Sequence, residues 1–149
     1  MISHKDIRWN NCHIKTVSLL PNVLLKQKAL NKNAFECLML DDHGYITEAT
    51  TSNIWILKNN MLITTPLTSN ILAGVTRKKL RELAHTLNIK VCEKKFKEKD
   101  VFKADNVFIT NSSAIILEAN KLNGKKLRVS NNKILKNIKS EILKIINYE

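Results

Sequence analysis

Apolar positions recur at two different spacings along this chain, and the switches between them mark out its elements. From 18 to 32, Leu19, Leu20, Val23, Leu24 and Ala29 fall at near-helical intervals. Ser18 is placed to cap this segment and Pro21 is tolerated in a first turn, so a helix is predicted just after Lys15. Runs rich in strand formers follow at 35–40, 45–47, 54–57 and 61–64, separated by Asp41-Asp-His-Gly44 and Lys58-Asn-Asn60. They read as hairpins. Helical period returns from 75 to 87, where Val75, Leu80, Leu83, Ala84 and Leu87 supply one buried face. Then come a strand at 89–92, a charged helical stretch near 97–102, and strands at 106–110 and 114–118. A closing helix at 130–147 carries Ile134, Leu135, Ile138, Ile142, Ile145 and Ile146 among lysines. That stripe fits a packed terminal helix, with a membrane-surface helix as the lesser alternative. The pattern predicts a single α+β domain over 1–149, with no internal repeat and no linker.

Composition supports one core. The chain has 149 residues, 44% of them hydrophobic, enough to bury a single domain. A net charge of +12 raises the question of nucleic acid, because clustered cations neutralise phosphates and release counterions. Yet of the 25 basic residues only Arg8, Arg77, Arg81 and Arg128 are arginine, and aromatics make up 5%. Few groups remain for base stacking, so nucleic acid is not an expected partner. Lysine is abundant together with Asn and Ile, whose codons are also AT-rich, and the charge is read as compositional bias.

Cys12, Cys37 and Cys92 are odd in number and form no C-x-x-C pair, which fits a reduced, cytoplasmic setting. No apolar run approaches a membrane span, and the N-terminus lacks the apolar stretch of a signal peptide. The four histidines form no metal-ligand spacing, so no metal is expected. His13, two residues before Lys15, would share its face in a strand, yet it is read as a bystander rather than a catalytic base.

Only three glycines occur. Gly44 and Gly124 read as turn residues. Gly74 stands between Ile71-Leu72-Ala73 and Val75-Thr76-Arg77, directly before a predicted helix. Backbone amides at such a start, with the Thr76 hydroxyl, suit a phosphate. A glycine there equally serves to turn a loop into a helix.

Several blocks in order, Asp6-Ile-Arg-Trp9, Cys12-His-Ile-Lys-Thr16, Leu19-Leu-Pro-Asn22, Lys26-Gln-Lys-Ala29, Gly44 to Glu48, Ser52-Asn53, Ile71-Leu-Ala-Gly-Val-Thr-Arg77 and Ala104-Asp105, resemble the fold-type IV pyridoxal-phosphate enzymes. These are the class IV aminotransferases, and the sequence around the lysine is most similar to their D-amino-acid aminotransferase branch. The resemblance covers roughly 6–120 and implies the large cofactor-binding domain of that fold, with mixed strands in a barrel-like sheet and flanking helices. It implies pyridoxal 5'-phosphate as cofactor, with an amino acid and a 2-oxo acid as substrates. Lys15 falls on the lysine that forms the internal aldimine and shuttles the Cα proton. Glu48 falls on the carboxylate facing the pyridine nitrogen. Val75, Thr76 and Ser112 match phosphate contacts, with Asn111 a weaker neighbour. Leu72 matches a residue packing on the cofactor ring, though it suits a core position equally.

Met1 stands five residues before Asp6, so the smaller N-terminal domain of the family, with most substrate contacts, is expected to be absent. Ile115-Ile116 replaces a usual Glu and apolar pair, and a Gly- and Pro-containing loop is replaced by 120–132. The resemblance leaves open a split enzyme whose other half is separately encoded, a non-catalytic remnant or scaffold, and a homodimer. A branched-chain aminotransferase or aminodeoxychorismate lyase relative is the other enzyme reading.

Overall fold

The computed structural model describes residues 1–148; the side chains of 146–148, Ile146 included, lie outside the described part. The chain runs β1 (Ile2–Lys5), α1 (Leu20–Leu30), β2 (Cys37–Leu40), β3 (Ile46–Ala49), β4 (Asn53–Lys58), β5 (Met61–Thr64), α2 (Val75–Thr86) and β6 (Val91–Glu93). It continues through α3 (Glu98–Phe102), β7 (Asn106–Asn111), β8 (Ile115–Glu118), β9 (Lys121–Leu122), β10 (Lys125–Lys126) and α4 (Lys133–Tyr148). Strands β1, β9 and β10 are additions to the sequence expectation; the last two are only two residues each, too short to show a period.

The strands divide among three sheets rather than one barrel-like sheet: β1-β2-β3, β6-β5-β4-β7-β8 and the small β10-β9 pair. Central strand β4 explains the layering. Its run Ile54-Trp-Ile-Leu57 is buried throughout because both of its faces are covered. Ile54 and Ile56 join Leu38 and Ile46 of the three-stranded sheet and Val101 of α3. Trp55 and Leu57 point the other way, onto Leu80 and Ala84 of α2 and Leu135, Ile138 and Ile142 of α4. Period-two alternation thus feeds two separate cores from one strand. Cys37 and Met39 of β2 turn outward onto Leu25 and Ala29 of α1. The order of layers is α1, three-stranded sheet, five-stranded sheet, then α2 with α4.

Within the α4 stripe Leu135, Ile138 and Ile142 are buried against α2 and the sheet, with Ile134 and Ile145 partly buried beside them, and this packing accounts for these apolar residues without a membrane surface. No described helix is long and apolar enough to cross a membrane. Helix α1 starts later than expected: Leu19, not Ser18, is its N-cap, and Pro21 occupies the first turn. The β4–β5 hairpin turns through Asn59 and Asn60 with φ of 50° and 59°, as a two-residue turn with both residues left-handed requires. Gly44 and Gly124 each have φ of 75°, so both are turn glycines by conformation.

Candidate active site

A cavity of about 940 Å³ opens between the segment leading into α1, the β3–β4 loop, the start of α2 and the β7–β8 loop. Lys15, Glu48, Leu72, Val75, Thr76, Asn111 and Ser112, the residues singled out from sequence, all line it. Lys15 lies on an irregular stretch between the turn at 10–13 and α1, with its side chain exposed. Among the described residues its ammonium has no hydrogen-bond or ion-pair partner. His13 does not share a strand face with Lys15, because this segment is a turn; its Nδ1 faces the Ser69 carbonyl at 3.2 Å. Cys12 lines the cavity, and burial pushes its thiol up from the usual range.

Glu48 is the most tightly organised group of the site. It ends up buried because β3 is covered on both faces. Its Oε1 accepts from Arg8, and its Oε2 accepts from Asn53 Nδ2 at 3.1 Å and the Leu72 amide at 3.2 Å. Burial drives the Glu48 carboxyl up to about 7, while Arg8 and the Leu72 amide pull against that rise. Arg8 in turn is held by Asp6 through Nε at 2.9 Å and Nη2 at 2.8 Å, and by the Asn70 carbonyl at 2.9 Å. Burial works against its charge, but Asp6 and Glu48 outweigh that and raise it above its usual range. Burial would raise Asp6 as well; Arg8 and Thr47 reverse the sign and hold it below its usual range. The result is a shielded carboxylate with a paired counter-charge.

Asn53 joins this centre to the start of α2, since its Nδ2 also donates to the Leu72 carbonyl at 2.9 Å. Gly74 is the N-cap of α2, with no side chain capping the helix. Its backbone is ordinary, with φ of −61° and ψ of 139°, so conformation does not demand glycine. Space does: a Cβ at Gly74 would lie 2.3 Å from Asn53 Oδ1. The first amides of α2 are left without an intrahelical partner, and Val75 and Thr76, the first two residues of the helix, line the cavity. Leu72 is half-buried and belongs to none of the three core clusters. Asn111 uses its Oδ1 to accept from the Ser113 and Ala114 amides at 3.0 and 2.7 Å, fixing the loop that presents Ser112.

Arg8 and Asn53 sit within quoted motifs, but no sequence argument tied them to Glu48, 40 and 5 residues away. The available hint was that Arg8 is one of four arginines and sits beside Asp6. Glu36, buried just before β2, carried no signal at all. Among the described residues no cluster could hold a metal ion.

Sheets and helices layered in this way occur among solved aminotransferases. The branched-chain amino acid aminotransferase from Escherichia coli superposes with a TM-score of 0.82 at 26% identity, over 95% of this chain and 50% of that one. A T.th. branched-chain amino acid aminotransferase, solved in complex with N-(5'-phosphopyridoxyl)-L-glutamate, shares the fold with a TM-score of 0.83 at 19% identity, over 95% and 49%. Sequence narrows the class further: residues 2–122 match the Amino-transferase class IV family, and the chain belongs to it. The D-alanine aminotransferase of Bacillus licheniformis is 38% identical over 123 residues, which make up 83% of this chain and 43% of that protein. The chain spans less than half the length of that relative.

Proposed function

We propose that this chain is the cofactor-binding half of a pyridoxal-phosphate-dependent aminotransferase of the D-amino-acid type, moving an amino group between an amino acid and a 2-oxo acid. The observation that carries this reading is a lysine, a shielded carboxylate and an uncapped helix start on one cavity. Pyridoxal phosphate fits the donor set. Val75 and Thr76 amides with the Ser112 hydroxyl would hold the phosphate, because short directed donors suit a dianion. Leu72 would pack on the ring, with Asn111 near the phosphate. Glu48 Oε2 already accepts from two donors, whereas Oε1 accepts from Arg8 alone. Oε1 therefore keeps an acceptor site for a ring N–H.

When bound, the cofactor supplies a carbonyl that condenses with amines and a ring that takes up electrons from the substrate Cα. Lys15 supplies the primary amine, and its free Nζ would carry the proton from the substrate Cα to the cofactor's former carbonyl carbon rather than back to Cα. Glu48 keeps negative charge beside the ring nitrogen, and Arg8 steadies that charge and its orientation. The part of the relatives that this chain does not span would supply the substrate-facing half and exclude water, since positioning and a dry site carry much of such catalysis.

Titration with pyridoxal phosphate tests the reading. A visible absorbance band is expected in the unaltered chain and none in Lys15→Ala. No spectral change at high cofactor would overturn it. If the band forms, transamination should appear on mixing with a polypeptide corresponding to the other half of the relatives.

A further inference from the structure

Glu36 lies just before β2 and is fully buried, at 0% exposure. It does not line the cavity, yet six donors converge on its carboxylate. Oε2 accepts from the amides of Cys37 and Thr50, each at 3.2 Å, and from the Thr50 hydroxyl. Oε1 accepts from the Thr51 amide at 3.1 Å, the Thr51 hydroxyl, and the Ser52 hydroxyl at 3.2 Å. Lys26 Nζ stands 3.7 Å from Oε1. A buried carboxylate persists only when so satisfied.

Five of the six donors come from Thr50, Thr51 and Ser52, the loop between the Glu48 strand and the Asn53 strand. All three residues line the cavity. Because each hydroxyl proton is directed into Glu36, each hydroxyl oxygen has only lone pairs to offer elsewhere. Ser52 shows the consequence: its Oγ accepts from Asn111 Nδ2 at 2.9 Å. The amide of Asn111 cannot be reversed, since its Oδ1 accepts from the Ser113 and Ala114 amides. A directed chain therefore runs from Ser113 and Ala114 through Asn111 and Ser52 into Glu36.

We infer that Glu36 is a positioning residue that fixes the hydrogen-bond polarity of this cavity. It makes the three hydroxyls of the Thr50–Ser52 wall acceptor-only, and through Ser52 and Asn111 it sets the loop that presents Ser112. Of the short groups facing each other across the proposed phosphate site, the start of α2 and Ser112 thereby remain as donors, while the Thr50–Ser52 hydroxyls do not. The functional consequence rests on the proposed cofactor site; the polarity itself does not.

The test compares the unaltered chain, E36Q, S52A and the double variant by NMR without cofactor, then with pyridoxal phosphate as the probe. In E36Q the new NH2 must face at least one backbone N–H, so the carboxylate nest cannot be kept. E36Q and S52A are each expected to shift the Asn111 side-chain amide signals and speed hydrogen exchange at Ser113 and Ala114. Each should weaken the cofactor about tenfold, the scale of one charge-supported hydrogen bond. The double variant should resemble E36Q alone, because Ser52 acts through Glu36. Additive effects, or unchanged signals at 111–114 in E36Q, overturn the inference. If E36Q does not fold, S52A decides: unchanged exchange at Ser113 and Ala114 overturns it and faster exchange supports it. A cofactor that binds no variant, the unaltered chain included, defeats the proposed function while the cofactor-free signals still decide the polarity.

Discussion

Gly74→Ala is a small substitution whose cost should fall entirely on a neighbour. With φ of −61° and ψ of 139°, alanine meets no backbone strain. The added Cβ, however, would sit 2.3 Å from Asn53 Oδ1 and 3.5 Å from its Cγ, so the Asn53 amide has to move. That amide donates to Glu48 and to the Leu72 carbonyl. Losing a bond to a carboxylate costs about 1.5–3 kcal/mol and one to a carbonyl about 0.5–1.5 kcal/mol. Replacing glycine by alanine returns roughly 0.4–1 kcal/mol through the unfolded chain. A net loss of about 2–3 kcal/mol is expected, or roughly 5–10 °C in Tm for a chain of this size. Thermal unfolding of the four members of a Gly74→Ala and Asn53→Ala cycle measures it. In the Asn53→Ala background the next neighbour of the new Cβ is Arg77 Cβ at 3.8 Å, an ordinary contact. There Gly74→Ala should be neutral or slightly stabilising. An equal loss in both backgrounds would refute the steric argument.

Two further outcomes follow from buried or strained groups. The Glu48 carboxyl rises from its ordinary 4.5 to about 7 in the folded chain, so between these values the folded state binds a proton that the unfolded state has released. Stability should therefore fall as pH rises from about 4.5 to about 7, by up to roughly 3 kcal/mol, and level off above. Urea unfolding of the cofactor-free chain and Glu48→Gln at about pH 5 and about pH 8 isolates this contribution; equal pH dependence in both proteins counts against it. Ile115 enters β8 with φ of 57°, a left-handed conformation that costs a β-branched residue about 1–2 kcal/mol. Ile115→Gly should be more stable than Ile115→Ala by about 1 kcal/mol, reversing the usual strand preference; urea midpoints that favour alanine would remove the strain argument.

Much of the local structure was legible from residue spacing. The long elements follow from it because burial of one helix face or alternate strand positions leaves a periodic trace. The Ile54-Trp-Ile-Leu57 run announced a strand, though not that its two faces feed different cores. Ser18 was a plausible cap by type, yet the chain turns into α1 one residue later. The isoleucine stripe of α4 marked an apolar face without saying what covers it; α2 does. At the site, the ordered motifs pointed to Lys15, Glu48 and the start of α2, and all three line the same cavity.

By itself, the sequence determined the order of the four helices and of strands β2 to β8, the family and the residue types available for chemistry, since these reside in local pattern and in motif order. Tertiary structure alone decided that Arg8 pairs with Glu48 across 40 residues, that Asn53 occupies the space a side chain at Gly74 would need, and that Glu36 gathers the donors of Thr50–Ser52. Periodicity records which face of an element is buried. It holds no record of which polar groups from distant segments meet there, because a buried charge finds its partners only where the chain crosses itself and water is excluded.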